Sequence, residues 1–215
     1  MLFVSCQPYA NEDYYTKNFI LNMAFAAKLG GAKGLRIESV ENILFIKKEI
    51  DLPIIGLIKK KIERKERYIC PDIESIDKII ETNCEFIAID YTLRDNCDKN
   101  YYIKVSKYVH EKCNCEIVAD ISTVKEAKLA IECGADFVAT TLCGYTINTK
   151  DRKLPDLNLI QQISEEGIKN LIGEGGYSNN SQYIKALELG AKIVVIGTSI
   201  SRPHLIVKKI IRGHY

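Results

Sequence analysis

Five ionisable side chains stand where short apolar runs end, and their types are those that proton transfer next to a carbonyl requires. The run Pro53-Ile-Ile-Gly-Leu-Ile stops abruptly at Lys59-Lys60, and other runs close on Arg36, Asp90, Asp120 and Glu174. A lysine at the rim of a core loses hydration, which lowers its pKa and makes it a usable proton acceptor. Gln7, Thr140, Thr141 and Gly197 end further runs. Any one of these has a plain alternative reading, because chains leave a core through polar residues and Lys59 alone could be an exit lysine. Arg, Lys, two Asp and Glu gathered at one rim favour a site over solvation.

Those residues share a rim only if the runs are strands of one sheet. The run around Ile54 is too short for a membrane span and too unbroken for a half-exposed strand, so it reads as a strand covered on both faces. Strands are expected at Leu2–Gln7, Gly34–Ile37, Ile54–Lys59, Phe86–Asp90, Glu116–Asp120, Phe137–Thr141, Asn170–Glu174 and Ile193–Gly197. Helical stretches follow each, at Tyr14–Leu29, Val40–Glu49, Asp72–Thr82, Tyr101–Lys112, a segment capped by Ser122 or Thr123 with Glu126 as capping-box partner, Leu157–Glu166, Ser181–Leu189 and Arg202–Ile211. Gly30-Gly31-Ala32, Gly134-Ala135 and Gly190-Ala191 each stop a helix just before a strand, a weak echo of a repeating unit. Eight strand–helix pairs with short connections make an α/β chain with a single (β/α)8 TIM barrel spanning 1–215. An open doubly wound sheet is the runner-up, but it needs fewer strands, and the first strand–helix turn lacks a Gly-x-Gly-x-x-Gly.

In a barrel the chemistry lies at the C-terminal strand ends, and the last two loops commonly hold a phosphate. Here they read Glu174-Gly175-Gly176 and Gly197-Thr198-Ser199-Ile200-Ser201-Arg202. Small residues let the backbone N–H groups approach a phosphate, and Arg202 can add a bidentate contact. The alternative is that the glycines serve only tight turns. A phosphorylated small substrate follows from the first reading, with Lys59 and Glu174 on opposite sides of it.

Bulk properties limit the partners. The 215 residues carry a net charge of +2, with no field to gather nucleic acid and no stretch of roughly 20 apolar residues to span a membrane. The N-terminus has no basic leader, so a cytoplasmic location is expected. The eight cysteines read as reduced thiols, Cys113-x-Cys115 being the only close pair. His110, His204 and His214 are scattered, and no metal site is expected.

Taken in order, Val4-Ser-Cys-Gln7, Gly34-Leu-Arg36-Ile-Glu38, Pro53-Ile-Ile-Gly-Leu-Ile-Lys59, Ala88-Ile-Asp90-Tyr-Thr92 with Arg94, Ala119-Asp120-Ile-Ser-Thr123, Thr140-Thr-Leu with Gly144-Tyr-Thr146, Glu174-Gly175 and Arg202-Pro203 resemble the bacterial N-acetylmannosamine-6-phosphate 2-epimerases nearly end to end. The resemblance implies a (β/α)8 barrel that interconverts N-acetylmannosamine 6-phosphate and N-acetylglucosamine 6-phosphate in sialic acid breakdown, with neither metal nor organic cofactor. It implies Lys59 as catalytic lysine and Glu174 as its partner. Gln7, Arg36, Asp120 and Thr140 match the sugar side of the site, and Gly175, Gly176, Gly197, Thr198 and Arg202 the phosphate side. A homodimer is expected. The chain departs from the family pattern at Gly176, where arginine is usual, at Asp95-Asn96, where Arg-Pro is usual nearby, and at Ser39, where glycine is common. Two rivals stay open: another sugar-phosphate barrel enzyme, and a sensor that keeps the pocket without the chemistry.

Overall fold

The apolar runs pair with one another because each has two faces to bury and no polar side to turn to water. In the computed structural model, which describes residues 1–7, 15–95 and 97–213, they form β1 (Leu2–Cys6), β2 (Gly34–Glu38), β3 (Ile54–Leu57), β4 (Phe86–Asp90), β5 (Glu116–Asp120), β6 (Phe137–Ala139), β7 (Leu171–Glu174) and β8 (Ile193–Ile196). All neighbours are parallel, and β8 pairs back to β1, so the sheet is a closed barrel in sequence order. This is the (β/α)8 TIM barrel expected from the strand count. The helices around it are α1 (Lys17–Leu29), α2 (Val40–Lys47), α3 (Ile73–Ile80), α4 (Lys99–Lys112), α5 (Val124–Glu132), α6 (Leu157–Glu165), α7 (Asn180–Glu188), a short α8 (Thr198–Ser201) and α9 (Pro203–Arg212).

The strand register sorts residues into an inner and an outer set. Ser5 pairs with Arg36 and Arg36 with Ile55, and alternation then turns Phe3, Gly34, Phe86 and Phe137 to the barrel interior with them. The three phenylalanines meet edge to face, with ring centroids 6.3 and 5.6 Å apart, and plug the lower end. Gly34 has to be glycine, since a Cβ there would stand 2.3 Å from the Phe3 ring. The outer set, such as Leu35, Ile37, Ile54, Ile87, Ile117 and Val194, is fully buried under the helices. The closed, plugged barrel leaves one polar end, and the strands deliver Arg36, Glu38, Asp90, Asp120 and Glu174 towards it.

Among the described residues seven helices are started by side chains that satisfy their first N–H groups. Thr16, Ser39, Asp72, Asp98, Thr123, Asp156 and Asn179 each accept from the residue three along. The expected capping box is present at Thr123 and Glu126. Glu126 also accepts from Leu93 N, Ser122 N and Ser122 Oγ, tying the loop after β4 to the start of α5.

Strand ends differ from expectation where the chain turns to build the mouth. The fourth residue of the run expected at Phe137–Thr141 enters a 3-10 turn, Thr140–Leu142, and β3 ends at Leu57. Beyond it Lys59 bridges antiparallel to Ile69, so the charged loop folds back as a small hairpin. Tyr14, Asn96 and His214 lie outside the described residues. One expectation is corrected: Cys113 and Cys115 are joined as a disulfide, while Cys6, Cys70, Cys84, Cys97, Cys133 and Cys143 are free thiols. The turn from α4 into β5 brings their Cα atoms to 5.4 Å, within bridging range, a proximity that residue spacing alone did not reveal.

Candidate active site

At the upper end of the barrel Arg36 is buried to 1% exposure and grips Asp120 with two bonds, Nη1 to Oδ1 at 3.1 Å and Nη2 to Oδ2 at 2.6 Å. Its Nη1 also stands 3.1 Å from Glu174 Oε2. One guanidinium from β2 therefore brackets carboxylates from β5 and β7 across the barrel. Burial alone would discourage its charge, but Asp120 and Glu174 outweigh that and hold it cationic. Its Nε–H has no partner among the described residues.

Opposing influences act on the Glu174 carboxyl. Burial pushes its carboxyl up, Arg36 pulls it back and Asp120 pushes it up again, leaving it at about 7. The Thr141 hydroxyl lies 2.6 Å from Asp120 Oδ1 and 3.2 Å from Glu174 Oε2. A hydroxyl has one proton to give, so Thr141 donates to one carboxylate and can accept from Glu174 when that group is protonated. Thr140, buried and adjacent, uses its hydroxyl on the main chain of Glu174, accepting from the N–H at 3.0 Å and donating to the carbonyl at 2.9 Å. It fixes the catalytic candidate from behind.

Lys59 comes from the rim beside β2. Burial pushes its amine down, Glu38 draws it up, Arg36 pushes it down, Glu174 draws it up and Arg202 pushes it down. The amine and the carboxyl thus shift towards each other from opposite ends of the pH scale, a pattern in which one environment pushes an acid and a base in opposite directions.

Gln7 is buried and donates from Nε2 to Ser5 Oγ at 2.9 Å. Gly175 and Gly176 have φ of 113° and 77°, in the left-handed region that favours glycine. A Cβ on Gly176 would lie 2.5 Å from Leu154 Cβ and 3.0 Å from the Leu154 carbonyl carbon, so the arginine usual in the family has no room to start here. Gly197 packs against Ser5 and opens α8, with Thr198 its first residue and Arg202 its end. All eleven sequence candidates come from strand ends or the loops that follow them. Arg36, Lys59, Asp120 and Glu174 form one electrostatic cluster, joined through Glu174 by Thr140.

Two residues joined the mouth unannounced, Glu38 and Tyr68. Thr141, which with Thr140 closes a run in the sequence, continues the inward series Phe137, Ala139, Thr141. Glu38 follows Gly34 and Arg36 on the same inner face, and period-two counting from Arg36 finds it. Tyr68 arrives through the hairpin, packs with Arg94 at 5.9 Å from its ring, and has its hydroxyl pushed up to about 12, chiefly by burial. Asp90 is fully buried and held by Arg94 at 2.7 Å and Thr92. Among the described residues no three His, Cys, Asp or Glu side chains converge as metal ligands would.

Comparison with known proteins shows the family. Residues 20–213 match the model of the family described as "Putative N-acetylmannosamine-6-phosphate epimerase". Relatives named "Putative N-acetylmannosamine-6-phosphate 2-epimerase" are 37% identical in Oceanobacillus iheyensis, over 98% of this chain and 96% of that one, and 38% identical in Clostridioides difficile, over 99% and 95%. The solved N-acetylmannosamine-6-phosphate 2-epimerase of Clostridium perfringens superposes with a TM-score of 0.91 at 36% identity, covering 98% of this chain and 91% of that one. A thiamine phosphate pyrophosphorylase from Pyrococcus furiosus, at 14% identity and a TM-score of 0.62, shares the fold alone. The chain belongs to the N-acetylmannosamine-6-phosphate epimerase family.

Proposed function

We propose that the mouth of this barrel interconverts N-acetylmannosamine 6-phosphate and N-acetylglucosamine 6-phosphate by removing and returning the proton at C2. The enzyme is an isomerase of amino-sugar catabolism. The observation that carries the mechanism is the opposed pair: a lysine pushed down and a carboxyl pushed up to about 7, each within the other's field.

Inverting C2 without redox chemistry needs the open-chain sugar, whose C1 aldehyde acidifies the C2 proton. Lys59 as free amine takes that proton, and the charge moves onto the C1 oxygen as an enolate. Glu174, partly protonated at neutral pH, exchanges a proton on the other side of the substrate. Arg36 fixes Glu174 and Asp120, and its cationic field favours the enolate over the neutral aldehyde. Thr140 holds Glu174 in place. Gln7 and Asp120 bind the sugar, and Gly175, Gly176, Gly197, Thr198 and Arg202 hold the phosphate.

No described helix is long and apolar enough to cross a membrane. The working location in this reading is the cytoplasm, where a catabolic sugar phosphate is met. The working form is a homodimer: α9 turns Val207, Ile210 and Ile211 outward at 54, 78 and 76% exposure, an apolar stripe that a second copy would cover. Light scattering at micromolar concentration checks this, and a monomer would refute it. The activity test is a substrate panel followed by phosphorus NMR. Conversion confined to the two N-acetylhexosamine phosphates is expected; turnover confined to a pentose phosphate would overturn the assignment, and binding without turnover would point to a sensor.

A further inference from the structure

Glu38 is the inward residue above Arg36 on β2, and nothing in the mechanism above uses it. Its Cα pairs in register with Leu57, the last residue of β3, and Lys59 follows two residues beyond the strand end. Glu38 thus sits at the point where β3 ends and the chain passes to Lys59, whose main-chain N–H donates to the Glu38 carboxylate. The Glu38 main chain is pinned on both sides. Asn42 Nδ2 donates to its carbonyl at 3.0 Å, and Ser39 N donates to Leu57 O at 2.9 Å. Ser39 accepts a φ of 78° to make this turn, a positive value that crowds the Cβ of any residue but glycine. The chain thus carries local strain immediately after a half-buried carboxylate that it aims at the lysine.

The charges around both groups are few. Glu38 and Arg36 face Lys59 from β2, Glu174 from β7, and Arg202 from the start of α9. Facing Glu38 is Lys59 itself, whose ammonium and main-chain N–H both favour the carboxylate against its burial. Of the charges acting on Lys59, Glu38 exerts the strongest pull.

We infer that Glu38 is the positioning residue of Lys59: its carboxylate anchors the lysine main chain and supplies the counter-charge that sets the pH at which the amine becomes free base. This rests on the reading of Lys59 as the base. Arg36 and Arg202 push Lys59 towards the neutral amine, and Glu38 restrains them. The balance keeps the lysine protonated enough to return a proton after taking one.

The test reads Lys59 directly. Wild type, Glu38→Gln and Glu38→Asp are acetylated briefly with acetic anhydride across a pH series without substrate, and labelling of the Lys59 peptide is quantified by mass spectrometry. Glutamine keeps the size and a hydrogen-bond acceptor but removes the charge. The labelling midpoint of Glu38→Gln is expected to move down by about one pH unit, or roughly tenfold more free amine below the midpoint. The acidic limb of kcat/KM is expected to move the same way. Glu38→Asp, with its charge drawn back, shifts less in the same direction and carries the test if the glutamine variant does not fold. A midpoint that stays put or rises would overturn the inference. Failure of the catalytic reading is separate: an unaltered rate in Lys59→Ala would remove Lys59 as base, whatever the labelling shows.

Discussion

Replacing Arg36 with alanine removes the cation on which the upper barrel is built. The side chain is 1% exposed, and Asp120, its bidentate partner at 3.1 and 2.6 Å, is fully buried. Glu174 loses its 3.1 Å contact as well. Breaking a buried pair by removing one partner costs about 3–5 kcal/mol, because the remaining charge keeps its desolvation penalty. For a chain of this size each kcal/mol lowers Tm by about 2–4 °C, so the drop should be roughly 10 °C. The pH dependence has a definite sign. Arg36 pulls the Glu174 carboxyl down, so its loss raises the folded pKa further above the unfolded value. The folded state then binds more protons than the unfolded state over that window, and stability falls as pH rises through it. The Tm deficit against wild type, followed by circular dichroism, should therefore grow from pH 5 to pH 8. A deficit under about 2 °C at pH 8, or one that shrinks as pH rises, would refute the reasoning.

Lys59→Ala should keep the wild-type circular dichroism spectrum and lose at least a thousandfold in kcat, the upper part of the range ascribed to a general base, about 10²–10⁴. Glu174→Gln removes a carboxyl that burial holds at about 7, so its Tm relative to wild type should improve as pH rises from 5 to 8, measured in matched melts. Gly176→Ala must displace Leu154 and its backbone from contacts at 2.5 and 3.0 Å, which should cost about 1–3 kcal/mol in denaturant melts and raise KM for the phosphorylated sugar. Thr123→Ala removes the cap of α5 and should cost about 1 kcal/mol with little effect on kcat.

The barrel was legible because its strands are apolar on both faces and its helices carry caps and glycine stops. Both signals are local, and Thr123 with Glu126 formed the expected box. The four charged centres were legible for a related reason: in a plugged barrel a charged residue closing a buried strand has one place to go. What stayed hidden depends on how the chain turns after the strand. Thr141 and Thr140 are adjacent, and only the interior direction of Phe137 says which hydroxyl reaches the carboxylates and which holds the Glu174 backbone. Glu38 lies one residue past the expected strand Gly34–Ile37, and only its register with Leu57 brings it to the point where the chain passes to Lys59. Tyr68 reaches the mouth through the Lys59–Ile69 bridge, a non-local pairing with no sequence signature. The loss of arginine at Gly176 is a packing matter, since the Leu154-Pro155 segment occupies the space a side chain needs. The Cys113–Cys115 bridge escaped because a spacing of two carries no disulfide signal without the turn that closes it.

The most direct test of the central claim is proton NMR of the purified protein with N-acetylmannosamine 6-phosphate in deuterium oxide, watching C2. The account predicts conversion to N-acetylglucosamine 6-phosphate with deuterium incorporated at C2, and loss of both signals in Lys59→Ala. Conversion with the original proton retained at C2, or no exchange from a folded wild-type protein, would contradict it.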